Sequence, residues 1–231
     1  MTVDVDFEED GFALIESVVD GEALRALAPV MLRGGAVGGT RGLLARPEIA
    51  ALATLLREHG ELRRLIPGDH VAVQCTYFEK SSGRNWLVPL HQDLSIPVAG
   101  RVADPALRGW SEKEGDVFVQ PPREVLEQLV AVRLHLDDCG ADDGPLRVVR
   151  GSHRLGVLTD EAAASVRAAR GESTCLAAAG DVLVLRPLTL HASSKSSGTS
   201  RRRVLHFVFG PPRLPLGLQW ATARAASPAM A

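Results

Sequence analysis

From residue 71 onward, the chain consists of short apolar or alternating runs separated by turn sequences. The runs include VAVQCTYF, VAVRLHL, DVLVLRPLTL and RVLHFVFG, and the turns include KSSGR and DDCGADDG. Short strands between polar, glycine-containing turns are typical of antiparallel sandwiches and barrels. The pattern therefore predicts a mainly β core over residues 71–210.

The first 70 residues have helical periodicity instead. Asp20 can cap a helix through GEALRALAPVML, and Pro47 suits the first position of a second helix that stops at Gly60. A third helix, TDEAAASVRAARG, interrupts the β region and ends at Gly171. We expect one domain with a helical N-terminal part (1–70) and a loose C-terminal tail (211–231), since no long hydrophilic linker divides the chain.

Charge and cysteine content narrow the class of protein. The 26 basic and 28 acidic residues argue against a nucleic-acid-binding protein, which is usually clearly basic. No apolar stretch reaches the length of a membrane span, and the acidic N-terminus lacks the features of a secretory signal. Three cysteines without C-x-x-C spacing favour a reducing compartment, so we expect a cytoplasmic protein without a membrane or nucleic-acid partner.

Two H-x-D pairs could bind a metal. Residues i and i+2 of a strand point to the same side, so His91 and Asp93 in LHQDL can converge on one ion, and so can His135 and Asp137 in RLHLDDC. Two histidines and one carboxylate form the facial triad of non-haem iron(II) oxygenases. The best candidate for the distal histidine is His191, at the end of DVLVLRPLTLH. Spacing alone does not choose between the two pairs.

Three blocks of sequence, in the same order, resemble the phytanoyl-CoA dioxygenase family. They are FEKSSGRNWLVPLHQDLS, LDDCGADDGPLRVVRGSHRLG and GDVLVLRPLTLHASSKSSGTSRRRVLHF. The resemblance implies a double-stranded β-helix (jelly-roll, cupin-like) fold with N-terminal helices, and an iron(II) enzyme that uses 2-oxoglutarate and O2. It assigns the metal to His91, Asp93 and His191. It also implies hydroxylation of a small-molecule C–H bond, coupled to decarboxylation of 2-oxoglutarate to succinate and CO2.

The resemblance also implies a co-substrate anchor. An arginine eleven residues past the distal histidine corresponds to Arg202, and a planar, permanently charged guanidinium suits a carboxylate. Strand alternation supports this position over its neighbour. If Leu205 and Phe207 pack in the outer core, Arg203 faces outward with them, whereas Arg202 and His206 face inward.

Other positions are predicted to line the pocket. Those that match the family's co-substrate contacts are Ser193, Gln92 and Thr76. On the middle strand, alternation places Arg133 and His135 opposite an apolar face, and we expect both to line the pocket without binding iron. Trp86 can shape the substrate pocket.

Two alternatives stay open at this point. One is a cupin-type metalloenzyme that needs no 2-oxoglutarate and therefore no Arg202. The other is a degenerate, non-catalytic barrel that acts as a binding module, since fold and ligands alone do not establish turnover. Related halogenases lack the metal carboxylate, so the presence of Asp93 favours hydroxylation.

Overall fold

The computed structural model describes residues 6–31 and 39–222. Its α-helices are α1 (Phe7–Asp10), α2 (Gly21–Met31), α3 (Pro47–Glu58), α4 (Leu62–Leu65), α5 (Arg123–Leu126) and α6 (Asp160–Arg170). Its strands are β1 (Phe12–Ile15), β2 (Val71–Lys80), β3 (Val88–His91), β4 (Ile96–Val98), β5 (Arg108–Lys113), β6 (Asp116–Gln120), β7 (Val130–His135), β8 (Leu146–Val148), β9 (Ser173–Cys175), β10 (Val182–Leu185), β11 (His191–Ser193) and β12 (Arg202–Gly210). Short 3-10 turns occupy Leu43–Ala45, Ala141–Asp143 and Ser152–Leu155.

Two antiparallel sheets form the body of the molecule. The larger has the order β1-β10-β7-β12-β2 and the smaller has the order β3-β11-β8-β9, while β4-β6-β5 form a third sheet. Ala131 and Leu183 of the larger sheet share a buried cluster with Leu146 and Val148 of the smaller sheet. The inner faces of these two sheets therefore pack on each other, and the predicted mainly β architecture with flanking helices is confirmed.

Helices cover the outer face of the larger sheet. Ile49 and Leu56 of α3 are fully buried in one cluster with Val132 and Phe207 of the sheet. The burial of such apolar side chains provides most of the driving force that docks the helices on the sheet. The side chain of Asp20 accepts hydrogen bonds at the start of α2, as predicted. Within residues 6–31 and 39–222, no helix combines the length and the apolar character that crossing a membrane requires.

Two expectations from the sequence need correction. The N-terminal part is not only helical, because Phe12–Ile15 forms β1 and pairs with β10 at the far end of the chain. The segment 211–222 is not a loose tail, because Leu218 and Trp220 are buried in the core and the Trp220 indole donates to the Pro211 carbonyl. Residues 223–231 of that tail lie outside the described part of the chain.

Candidate active site

Strand pairing brings His91 and His191 together. The two residues are direct partners in the antiparallel pair β3 and β11. Asp93 follows β3 by two residues, and its backbone N–H donates to the carbonyl of Pro187 at 2.9 Å. Its carboxylate lies 3.6 Å from His91 Nε2 and 3.8 Å from His191 Nε2. The ligand atoms of the three residues all lie within 4.8 Å of one another, so the predicted triad converges.

Both histidines of the triad are held in one tautomer. His91 Nδ1 lies 2.9 Å from the carbonyl of Pro89, and His191 Nδ1 lies 2.8 Å from the carbonyl of Thr189. Because a carbonyl oxygen only accepts, each Nδ1 carries a proton, so Nε2 is the nitrogen that faces Asp93 and that is left to bind a cation. Backbone carbonyls fix many metal-binding histidines in this way.

The charges of the triad suit a cation. Burial lowers the pKa of His191 to about 4, so its imidazole is neutral at pH 7. Burial opposes ionisation of Asp93, but the neighbouring His191, His91 and His206 outweigh it and hold the pKa of the carboxyl well below its usual range. Burial also disfavours protonation of His91, yet the carboxylate of Asp93, 3.6 Å from its Nε2, raises the pKa of His91 overall. Two imidazole nitrogens and a carboxylate are a donor set that fits a divalent transition metal.

The second H-x-D pair has another role. Both carboxylate oxygens of Asp137 accept from the guanidinium of Arg203, at 2.8 and 2.6 Å. His135 is buried, and desolvation with the nearby charge of Arg133 lowers its pKa to about 3. Within the described ranges, only the group containing His91 has the clustering of a metal site. The structure thus separates two pairs that spacing leaves equivalent.

A cavity of about 460 Å³ opens beside the triad, between the two larger sheets. Its volume is in the range of small-molecule pockets. His135 is not part of its wall, although it follows Arg133 on the same face of β7, so the expectation that both residues line the pocket holds only for Arg133. The other predicted site residues that line the cavity are Thr76, Trp86, Gln92, Ser193 and Arg202.

Arg202 reaches this cavity from the first position of β12. Its side chain is buried, one terminal nitrogen donates to the Gly144 carbonyl at 2.5 Å, and its Nε has no hydrogen-bond partner. Arg203 points away to Asp137, whereas Leu205 and Phe207 pack in the outer core. The alternation predicted for this strand is therefore confirmed.

Lys80 was not predicted as a site residue. It is 1% exposed, and its Nζ donates to Ser193 Oγ at 2.6 Å and to the Ser194 carbonyl. Ser193 Oγ in turn donates to the carbonyl of Gly144 at 2.8 Å. Lys80 and Ser193 are far apart in sequence, so no local pattern reveals the contact. The sequence signal for a role here is its place in the block FEKSSGRNWLVPLHQDLS, whereas its position opposite Arg202 emerges only from the strand pairing.

The cavity region carries three buried cations: Lys80, Arg133 and Arg202. Burial, with Arg202 nearby, lowers the pKa of Arg133 to about 10, and its Nε also lacks a partner. In the part of the chain that the structure describes, no carboxylate oxygen lies within 4.0 Å of their nitrogens. Buried charges without a counter-ion are costly. The cluster therefore fits an anionic ligand.

Gln92 lines the cavity but directs its polar atoms into the protein. Its Nε2 donates to the carbonyls of Gly156 and Leu188, both at 2.7 Å, and its Oε1 accepts from the Leu158 N–H at 2.8 Å. These contacts give the side chain a structural role, because they tie the segment after β3 to the loop of Gly156 and Leu158 and to the loop of Leu188.

Comparisons with known proteins identify the family and the class of fold. A family model described as "Phytanoyl-CoA dioxygenase (PhyH)" matches residues 7–204, whereas no curated protein sequence matches. Similar solved structures include HygX from Streptomyces hygroscopicus (21% identity, TM-score 0.61, 89% of this chain and 84% of that chain covered). AviO1 from Streptomyces viridochromogenes Tue57 has 24% identity and a TM-score of 0.59, with 90% and 93% covered. EctD from S. alaskensis has 17% identity and a TM-score of 0.67, with 92% and 79% covered. These likenesses confirm the predicted double-stranded β-helix class of fold.

Proposed function

The chain belongs to the phytanoyl-CoA dioxygenase family, whose model matches residues 7–204, and we propose that it is an iron(II)- and 2-oxoglutarate-dependent dioxygenase that hydroxylates a small molecule. The observation that carries this proposal is the convergence of His91, Asp93 and His191 in the cavity that Arg202 also lines. The solved structures of HygX add support, since one contains iron and another contains nickel, 2-oxoglutarate and hygromycin B.

Each residue then has a defined task. His91 and His191 bind iron through Nε2, and Asp93 binds it through its carboxylate. Arg202 holds a carboxylate of 2-oxoglutarate, and Lys80 fixes Ser193 beside it. Bound iron, with 2-oxoglutarate and O2, supplies the oxidising power that converts a C–H bond to C–OH as 2-oxoglutarate becomes succinate and CO2.

Other features support the finer parts of the proposal. Asp93 leaves no position for a halide in place of a carboxylate ligand, which favours hydroxylation over halogenation. Thr76, Trp86 and Arg133 all line the cavity, and we assign Thr76 to the co-substrate and Trp86 and Arg133 to the substrate. We propose a single domain that works in the cytoplasm, and the three free, buried cysteines fit such a reducing compartment.

Two other functions make different predictions. A cupin-type metalloenzyme that does not use 2-oxoglutarate would bind iron but would have no need for the buried Arg202. A binding module would need neither iron nor the co-substrate. The binding of both ligands to one protein therefore separates the three possibilities without knowledge of the substrate.

An anaerobic titration of metal-free protein with iron(II) and 2-oxoglutarate tests the proposal through the visible charge-transfer band of the chelate. We expect the band in the wild type and in His135→Ala, and its loss in His91→Ala and His191→Ala. His135 is the matched control, because it is a buried inner-face histidine outside the cavity wall. Iron binding without the band would favour the cupin-type enzyme, and absence of iron binding would favour the binding module.

A further inference from the structure

A third imidazole lies beside the carboxylate of Asp93. His206 Nε2 is 4.0 Å from Asp93 Oδ2, the same oxygen that faces His191 Nε2 at 3.8 Å. His206 is 5% exposed and lines the cavity. A third imidazole nitrogen at this distance from the triad raises the question of whether His206 is a fourth metal ligand.

A hydrogen bond at the other ring nitrogen, Nδ1, determines whether Nε2 of His206 is free to bind a metal. His206 and Arg133 are direct partners in the antiparallel pair β12 and β7, and an Arg133 terminal nitrogen lies 2.9 Å from His206 Nδ1. A guanidinium has five donors and no acceptor. His206 Nδ1 must therefore accept, so the proton of the neutral imidazole is on Nε2.

The tautomer of His206 is thus the opposite of that found in the triad. Carbonyl oxygens place the proton of His91 and His191 on Nδ1 and free Nε2 to coordinate. Arg133 places the proton of His206 on Nε2, and a protonated nitrogen has no lone pair for a metal. Asp93 consequently lies beside two Nε2 atoms that can bind a cation and one Nε2–H that cannot.

Packing restrains the pair of Arg133 and His206. The ring of Phe78 meets His206 edge-on, with centroids 6.0 Å apart, and the Arg133 guanidinium carbon lies 5.7 Å from the Phe78 ring centre. Both polar side chains are buried. The N–H of His206 is therefore held in place beside the carboxylate.

We propose that Arg133 and His206 form a positioning pair for Asp93. Arg133 fixes the tautomer of His206, whose Nε2–H restrains the second carboxylate oxygen, and His206 is not a fourth ligand. The functional part rests on the proposed function, whereas the tautomer is a property of the metal-free protein and can be tested separately.

The tautomer test uses long-range 1H–15N spectra of metal-free protein labelled at histidine nitrogens. We expect the proton on Nε2 in His206 and on Nδ1 in His191. In Arg133→Met the donor to Nδ1 is absent, so His206 should populate both neutral tautomers instead of the Nε2–H tautomer alone. A His206 proton on Nδ1 in the wild type would overturn the proposal, and so would an unchanged His206 spectrum in Arg133→Met.

The positioning test uses Co(II) alone as the probe, so it requires no turnover. Glutamine can place an amide N–H near the position of Nε2, whereas asparagine substitutes better for Nδ1. We expect His206→Ala and His206→Asn to weaken Co(II) binding by roughly 10- to 100-fold, as is typical for residues that support metal ligands, and His206→Gln to recover most of this loss. Equal affinity in all three variants would contradict the proposal, as would a change in the coordination number of Co(II) in His206→Ala.

If the iron and 2-oxoglutarate chelate fails to form while these results hold, only the proposed function is lost.

Discussion

Lys80 and Arg202 lie directly opposite each other on the paired strands β2 and β12, and both cationic side chains are buried. Both donate hydrogen bonds to neutral oxygens, namely Ser193 Oγ and the backbone carbonyls of Ser194 and Gly144, and neither has a carboxylate within 4.0 Å among the described residues. Like charges in a poorly solvated region repel each other. The ligand-free protein is therefore less stable here than the same fold with a bound dianion.

The first prediction is that 2-oxoglutarate stabilises the protein even without metal. At about 100 times its Kd, a ligand that binds only the folded state adds about 2.7 kcal/mol, which for a chain of this size raises Tm by roughly 5 to 10 °C. Thermal unfolding in the presence of a chelator measures the shift. The uncharged dimethyl ester of 2-oxoglutarate is the control, and equal stabilisation by the ester would show that the buried cations are not the cause.

The second prediction concerns the co-substrate anchor. Arg202→Met removes a buried charged donor, which is worth about 1.5 to 3 kcal/mol, and should weaken 2-oxoglutarate binding by roughly 10- to 150-fold. Iron affinity should stay near the wild-type value, because Arg202 is not a ligand. The charge-transfer titration measures both constants.

Arg201→Met is the matched control for that experiment, since Arg201 is the exposed neighbour on the same segment. It removes the same charge from the chain without touching the cavity wall. If the two variants lost equal affinity, the effect would come from net charge, and the assignment of Arg202 as the anchor would be wrong.

The third prediction is a pH dependence of stability that comes from Lys80. Burial, with Arg202 nearby, lowers the pKa of Lys80 from 10.5 to about 8. Between these values the unfolded chain binds more protons than the folded protein, so the free energy of unfolding should rise with pH. The rise is on the order of 3 kcal/mol at most. Deprotonation keeps both hydrogen bonds of Lys80, because a neutral amine still has two N–H donors for Ser193 Oγ and the Ser194 carbonyl.

Denaturant unfolding at a series of pH values from 7 to about 10 tests this effect. Lys80→Met has no titrating group at this position, so its stability should rise less than that of the wild type over the same window. Other groups titrate equally in both proteins and cancel in the difference. Parallel stability curves for the two proteins would rule out a depressed pKa for Lys80.

The sequence predicts the features that depend on local periodicity. The family resemblance selects Arg202, strand alternation places it with His206 on the inner face of β12, and the i, i+2 spacing pairs His91 with Asp93. Features that depend on distant partners are not predictable in this way. Spacing does not distinguish the second H-x-D pair, whose Asp137 is bound by Arg203, 66 positions later. The strand Phe12–Ile15 is likewise defined by its pairing with β10.

The same limit applies to Gln92, for which the family resemblance predicts a co-substrate contact. Its three hydrogen bonds join Gly156, Leu158 and Leu188, residues that lie 64, 66 and 96 positions away. The fourth prediction is that Gln92→Leu lowers the free energy of unfolding by about 2 to 4 kcal/mol, since each lost bond is worth about 1 kcal/mol and buried backbone groups are left unpaired. The affinity for 2-oxoglutarate should change little if the folded variant keeps its triad.

Denaturant unfolding and the charge-transfer titration, performed on the same preparation of Gln92→Leu, separate the two roles. Gln128→Leu is the control, because Gln128 is an exposed glutamine whose Nε2 donates to the carbonyl of Glu124 within one helical turn. We expect little change in stability for that variant. If Gln92→Leu is as stable as the wild type but binds 2-oxoglutarate at least tenfold more weakly, the side chain must leave its loops to contact the co-substrate, and the structural role inferred from its hydrogen bonds would be wrong.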